Sequence, residues 1–140
     1  LQAAILSAKL RHLEDWNAAR TRLARRYDAL LAGAERAGRL RRVLRASDAA
    51  AVYHLYVVRV GDGQRDAILE RVKAAGVEVG VHYPVPLHLQ PALAHLALRR
   101  GAFPEAERLA DEALSLPIFP LMSDAQQDRV VEALLTALPG

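Results

Sequence analysis

The segment spanning residues 82–91, HYPVPLHLQP, restricts the fold of this chain more than any other part of it. It holds two histidines, a tyrosine and three prolines. Each proline fixes φ near −65° and lacks an N–H, so the segment forms neither a regular helix nor a central strand. The residue before each proline is driven toward an extended conformation. We therefore predict a stiff, extended loop. It is either the wall of a site or a braced connection whose histidines satisfy local hydrogen bonds, and the segment alone favours neither.

Composition indicates one soluble domain. The chain has 140 residues, of which 52% are hydrophobic and 25% charged. These values are ordinary for a globular protein with a core of its own. No apolar run approaches the roughly 20 residues that span a bilayer, so no membrane partner is expected. The absence of cysteine excludes disulfides, thiolate nucleophiles and cysteine-ligated zinc. With no signal-peptide pattern either, we expect a cytoplasmic location.

Apolar periodicity predicts one long helix over residues 1–32, ended by Gly33. Its stripe consists of Leu6, Leu10, Leu13, Trp16, Leu23, Tyr27 and Leu30. At 1.5 Å per residue such a helix is roughly 45 Å long, more than the width of a domain of this size. We expect it to bridge to another domain or to a partner. An arginine-rich connector, residues 34–47, follows it.

The rest of the chain alternates strands and helices. Strands are predicted at residues 52–60, 77–81 and 114–120, and helices at 64–75, 92–100, 104–113 and 123–138. Ser123 and Gln126 form the capping box of the last helix. The predicted class is α/β (α+β), a small, mainly antiparallel three-stranded sheet with helices packed on it. We expect a single domain over residues 1–140, made of the bridging helix 1–32 and a body at 48–140.

Several kinds of site are disfavoured. His54, His82, His88 and His95 do not follow a zinc-ligand spacing, so no metal is expected. The serines lack the surroundings of a hydrolase nucleophile. The two lysines, Lys9 and Lys73, lie on helix surfaces and do not suggest an activated amine. The basic cluster consists of Arg36, Arg39, Arg41, Arg42 and Arg45. It lacks interleaved aromatic residues, so a solvated connector is favoured over a nucleic-acid site.

The ordered segments resemble a known family. They are QAAIL and KL (residues 2–6 and 9–10), YHLYVVR (53–59), RD (65–66), GVHYPVPLH (80–88), FPEAE (103–107) and LSLPIFP (114–120). Together they are similar to the C-terminal small domain of the DegT/DnrJ/StrS-type, pyridoxal-phosphate-dependent sugar aminotransferases of fold type I. The resemblance extends over essentially all of the chain, in the right order.

The resemblance implies a homodimeric enzyme. A large N-terminal domain, whose motifs are absent here, would carry the lysine that holds pyridoxal 5'-phosphate. The whole protein would transfer an amino group from glutamate or glutamine to a keto-sugar nucleotide in amino-sugar biosynthesis. This chain would supply part of the cleft wall and be inactive alone, with no stable cofactor binding. His82, Tyr83 and His88 would hydrogen-bond the substrate or cofactor, and no catalytic residue is assigned.

Two other functions stay open at this stage. The chain is alternatively a non-catalytic interaction module that has kept the fold, or, less favoured, a nucleic-acid-binding domain. The sugar, the position aminated, and the choice between aminotransferase and dehydratase are not determined by these residues.

Overall fold

The computed structural model describes residues 1–43, 46 and 48–139. The helices are α1 (Gln2–Leu10), α2 (Leu13–Arg36), α3 (Arg65–Ala74), α4 (Pro104–Glu112) and α5 (Asp124–Ala137). The strands are β1 (Arg41–Arg42), β2 (Tyr56–Arg59) and β3 (Ala113–Leu116), and two short 3-10 helices cover Leu87–Leu89 and Pro91–Leu96. No helix in this described part of the chain is both long and apolar enough to cross a membrane.

The three strands form one antiparallel sheet in the order β1-β2-β3. The predicted class, a small antiparallel sheet with helices packed on it, is thus confirmed. The buried core joins the inner face of β2 and β3 to α2, α3 and α5. Its largest fully buried apolar side chains are Tyr27, Leu23, Leu31, Leu40, Ile68, Leu114 and Leu134. Burial of these apolar surfaces is the main force that holds the helices on the sheet.

The predicted strand at 77–81 is wrong. Only an isolated bridge forms there, between Gly80 and Ser115. Val77 and Val79 are buried in the core as predicted, but the chain then enters the segment that holds Pro84 and Pro86. Because proline lacks the N–H that a ladder needs, pairing stops after one bridge.

The third strand comes instead from the predicted connector. Arg41 pairs with Arg59 and Arg42 with Val58, which makes β1 an edge strand. Charged residues are tolerated at a sheet edge because one side of the strand faces solvent. The sequence does not predict this strand, because the segment is rich in arginine and shows no alternation of apolar residues.

The predicted helix 1–32 is divided into α1 and α2 by a turn at Arg11 and His12, and α2 continues through Gly33 to Arg36. α1 buries none of its residues, so no side chain of α1 is held in the core. The His12 and Trp16 rings stack with centroids 5.7 Å apart, so these two residues pack against each other at the start of α2. Leu23 and Tyr27 of the predicted stripe lie in the core, while Leu6 and Leu10 are exposed.

The predicted capping box is confirmed at the start of α5. The Gln126 backbone N–H donates to Ser123 Oγ over 3.2 Å, and the Ser123 backbone N–H donates to Gln126 Oε1 over 2.9 Å. These two bonds satisfy donors that have no partner inside the helix.

Candidate functional site

His82 stands at the start of the proline-rich loop and is held by the neighbouring strand. Its Nδ1 lies 3.0 Å from Oγ of Ser115, a buried residue of β3. Two backbone bonds join the same segments: the Ser115 N–H donates to the Gly80 carbonyl over 2.8 Å, and the Gly80 N–H donates to the Ser115 carbonyl over 3.1 Å. The imidazole is therefore anchored to β3, a strand whose four residues are all buried.

Tyr83 projects into solvent. Its side chain is 73% exposed, and its ring meets the His82 ring edge to face with centroids 5.7 Å apart. The peptide bond between the two residues is cis. A phenol this exposed is accessible to a ligand or to another protein surface.

His88 lies in a different environment, since only 8% of it is exposed. Its Nε2 is 2.9 Å from Oε1 of Glu107 on α4, and its ring packs edge to face on Phe103 at 4.9 Å. The structure thus brings His82 and Tyr83 together at the surface and places His88 inside a buried contact between the loop and α4.

Glu107 is the centre of that contact. It also accepts hydrogen bonds from the backbone N–H of Gly101, over 2.8 Å, and of Phe103, over 3.2 Å. The Gly101 N–H, and after it the Phe103 N–H and His88, hold the pKa of Glu107 below its ordinary value, against an opposing effect of desolvation. A carboxylate bound by several donors stays ionised and fixes the segments that supply them.

A cavity of about 340 Å³ opens beside β2, and His82 contributes to its wall. Its lining is mainly apolar and aromatic, with a few charged groups: Asp28, Arg42, Val43, Ala51, Tyr53, His54, Leu55, Tyr56, Val57, His82, Leu109 and Ala113. Small-molecule sites commonly combine such a lining with a few placed polar groups. We take this cavity, with the loop at 82–91, as the candidate site.

An ion-pair network fixes one side of the cavity. Arg42 lies 3.2 Å from Asp28, and its Nε donates to Glu35 Oε2 over 2.6 Å. Tyr56 donates its hydroxyl to Asp28 over 2.8 Å. The hydrogen bonds between the Arg42 side chain and Glu35 lower the pKa of Glu35 and raise that of Arg42. Both groups therefore stay charged over the physiological range.

Sequence reasoning missed Asp28 and Arg42 as cavity residues. Asp28 is one charge among many on α2, and Arg42 belongs to a run that indicates a connector. They meet because β1 pairs with β2 and also packs against α2, and no local pattern encodes that long-range pairing.

Two of the four described members of the basic cluster, Arg39 and Arg42, make structural contacts. Arg39 donates to the carbonyls of Leu135, Leu138 and Pro139 at the end of α5, a typical way to satisfy the last carbonyls of a helix. Arg42 is held by Glu35. Arg45 lies outside the described residues. Arg36 and Arg41, the other two described members of the cluster, are exposed.

A metal site needs a set of donor side chains, and covalent attachment of pyridoxal phosphate needs a lysine whose amine is activated, for example by desolvation. Over residues 1–43, 46 and 48–139, no group of three or more histidine, aspartate or glutamate side chains is arranged to hold a metal ion. Lys9 and Lys73 are both exposed, on α1 and α3, and neither lines the cavity at His82.

Comparison with known proteins gives consistent matches. Residues 1–135 match the model of the DegT/DnrJ/EryC1/StrS aminotransferase family. The "Erythromycin biosynthesis sensory transduction protein EryC1" of Saccharopolyspora erythraea is 46% identical over 96% of this chain and 35% of its own length. The "dTDP-3-amino-3,4,6-trideoxy-alpha-D-glucose transaminase" of Streptomyces venezuelae is 40% identical over 96% of this chain and 34% of its own length.

Solved structures match at the level of the fold. The S. venezuelae DesV structure in complex with a ketimine intermediate has a TM-score of 0.86 and 39% identity, over 97% of this chain and 36% of that one. NtdA from Bacillus subtilis, with the bound cofactor PMP, has a TM-score of 0.76 and 28% identity, over 87% of this chain and 28% of that one. The chain thus spans about a third of the length of the proteins it matches.

Proposed function

Because the chain belongs to the DegT/DnrJ/EryC1/StrS aminotransferase family, we propose that it is the small domain of a pyridoxal-phosphate-dependent sugar aminotransferase. The whole protein would transfer an amino group to a keto-sugar nucleotide. The relative from S. venezuelae, named as a transaminase of a dTDP-sugar, supports this substrate class. The observation that carries the proposal is the match of nearly the whole chain to about a third of such enzymes.

We propose that the cofactor is supplied by the part of the enzyme that this chain does not contain. The relative crystallised with bound PMP supports a pyridoxal-type cofactor for the complete protein. When bound, it would act as the electron sink of amino transfer. Since Lys9 and Lys73 are exposed and lie away from the cavity, this chain's contribution is to bind and orient the substrate.

His82 and Tyr83 are the proposed contacts of this chain with the sugar nucleotide. His82 lines the cavity and is anchored to β3, and Tyr83 offers an exposed hydroxyl. His88 was predicted alongside them, and its role stays a prediction. Its buried bond to Glu107 supports a role in holding the loop in place.

The exposed apolar residues of α1 support a further partner. Ile5, Leu6 and Leu10 are 47%, 61% and 63% exposed, and no residue of α1 is buried. Contiguous apolar side chains on a surface mark an interface more often than a free face. We propose that this face meets the large domain or the second subunit of a homodimer, with residues 1–140 forming a single domain in that assembly.

A chimera tests the proposed function. The matching segment of the S. venezuelae transaminase is replaced by this chain, and amino transfer to its sugar nucleotide is followed. We expect an active chimera in which His82→Ala raises KM several-fold, because a substrate contact is lost. His95→Ala is the matched control, since His95 is exposed and lies outside the cavity. A chimera that binds cofactor but has the same KM with and without His82→Ala contradicts the substrate role. An inactive chimera that folds and binds cofactor favours an interaction module instead.

The chain alone gives a second test. Mixed with pyridoxal phosphate and dialysed, it should retain no coloured adduct, because both of its lysines are exposed. A stable yellow species that disappears in Lys9→Ala or Lys73→Ala shows that the cofactor-binding lysine is in this chain.

A further inference from the structure

Gly80 and Ser115 both lie close to the His82 imidazole. Ser115 presents its hydroxyl to Nδ1 at 3.0 Å from a buried position on β3. A Cβ placed on Gly80 would lie 2.9 Å from Cε1 of the His82 ring. The imidazole therefore occupies the space that any larger residue at position 80 would fill.

The backbone fixes the distance between these two residues. Gly80 and Ser115 exchange both N–H···O bonds of an antiparallel bridge, at 2.8 and 3.1 Å. Ser115 is also paired with Val57 of the central strand β2. The backbone of Ser115, and with it the hydroxyl that meets His82, is thus held by the β2–β3 ladder and by the isolated bridge to Gly80.

The chemistry of the contact leaves one ring nitrogen for other partners. A serine hydroxyl both donates and accepts, so it bonds Nδ1 whether that nitrogen carries a proton or not. Among the described residues, the hydrogen bonds of the ring are confined to Nδ1. Nε2 therefore has no hydrogen-bond partner among these residues, and the side chain that carries it contributes to the wall of the cavity of about 340 Å³.

We propose that Gly80 and Ser115 are positioning residues for His82. They hold its imidazole in one rotamer, with Nδ1 bonded to Ser115 and Nε2 left for a hydroxyl or phosphate oxygen of the bound ligand. The identity of that ligand rests on the proposed function, but the orientation of the ring does not. Pre-orientation matters because a side chain that is already ordered loses less rotamer entropy when it binds.

Nuclear magnetic resonance on the isotope-labelled chain tests the orientation directly. Three-bond couplings to Cγ report the χ1 rotamer of His82, and the ring nitrogen shifts report the hydrogen bond at Nδ1. In the unmodified chain we expect couplings at the limit of a single rotamer and a bonded Nδ1. Averaged couplings in the unmodified chain would overturn the proposal without any variant.

Variants separate positioning from a general effect on stability. Ser115→Ala should shift the His82 couplings toward rotamer averaging, and Ser115→Thr, which keeps the hydroxyl, should restore the single rotamer. Gly80→Ala should give a different rotamer, because the new methyl occupies the position of the ring. Lowered stability alone would not move these signals in the folded state.

Matched controls complete the experiment. Ser7→Ala changes an exposed serine on α1, and Gly33→Ala adds a Cβ that meets nothing within 4 Å. Both should leave the His82 couplings unchanged. If Ser115→Ala folds and keeps the original couplings, the serine does not position the ring. That result would leave the chimera test of the aminotransferase function unaffected, so failure of one idea is distinguishable from failure of the other.

Discussion

Replacement of Tyr27 by phenylalanine gives a quantitative test of how α2 is attached to the strand that carries Ser115. Tyr27 is fully buried, and its hydroxyl donates to the carbonyl of Pro117, just after β3, over 2.8 Å. Its ring packs on Tyr56 with centroids 4.8 Å apart. Phenylalanine keeps that ring contact and removes only the hydroxyl, so no large cavity forms.

The expected cost follows from the lost bond. An intramolecular hydrogen bond contributes about 0.5–1.5 kcal/mol, and a buried acceptor left without a partner costs about 1–3 kcal/mol. Because the Pro117 contact is only partly buried, we expect Tyr27→Phe to lower the free energy of unfolding by about 1–2 kcal/mol. For a chain of this size that corresponds to a fall in Tm of roughly 3–8 °C.

Tyr83→Phe is the matched control, since it removes the same hydroxyl from a side chain that is 73% exposed. Its effect should be within about 0.5 kcal/mol. Urea unfolding followed by circular dichroism measures both variants. An equal fall in the free energy of unfolding for the two variants, or no fall for Tyr27→Phe, would refute the claim that the hydrogen bond to Pro117 stabilises the fold.

The same residue predicts a dependence on alkaline pH. Burial raises the pKa of Tyr27 above its ordinary value of 10.0. A group whose pKa is raised by folding contributes stability that is complete below its unfolded pKa and is lost as the pH rises through the folded value. Stability should therefore begin to fall above about pH 10. Tyr27→Phe should reduce the slope of that fall, and an unchanged slope would contradict the assignment.

Further expectations concern the loop anchor and the core. The pKa of Glu107 is lowered by the Gly101 N–H and its other donors, so its contribution to stability is present above its ordinary value of 4.5 and lost as the pH falls through the lowered value. Glu107→Gln should reduce the loss of unfolding free energy at acid pH, measured by urea titration, and the exposed Glu105→Gln should not. The same pH dependence in both variants would argue against Glu107 as the residue that holds the loop. In the core, Leu134→Ala should cost about 2–5 kcal/mol because it empties a fully buried site. Leu121→Ala, at an 86% exposed residue, should change thermal unfolding by less than about 0.5 kcal/mol; a similar fall in both would contradict the placement of the core.

The resemblance read from the ordered segments correctly predicted the family and the class of fold. It also directed attention to His82 and Tyr83, one lining the cavity and the other exposed beside it. For His88, sequence could not distinguish a surface role from a buried one. The difference depends on Glu107, which is 19 residues further along the chain, and on how α4 packs against the loop.

Sequence by itself determined the features whose causes are local. The prolines at 84, 86 and 91 keep α-helix and paired strand out of the loop, where only short 3-10 helices form, and Ser123 with Gln126 starts α5, because these effects act within a few residues. Tertiary structure decided the rest: that β1 arises from an arginine run, that Val77 and Val79 are buried without forming a strand, and which side chains surround His82. The serine that holds this imidazole is 33 residues away in the chain. It comes into contact with His82 only because burial of the core places β3 beside Gly80.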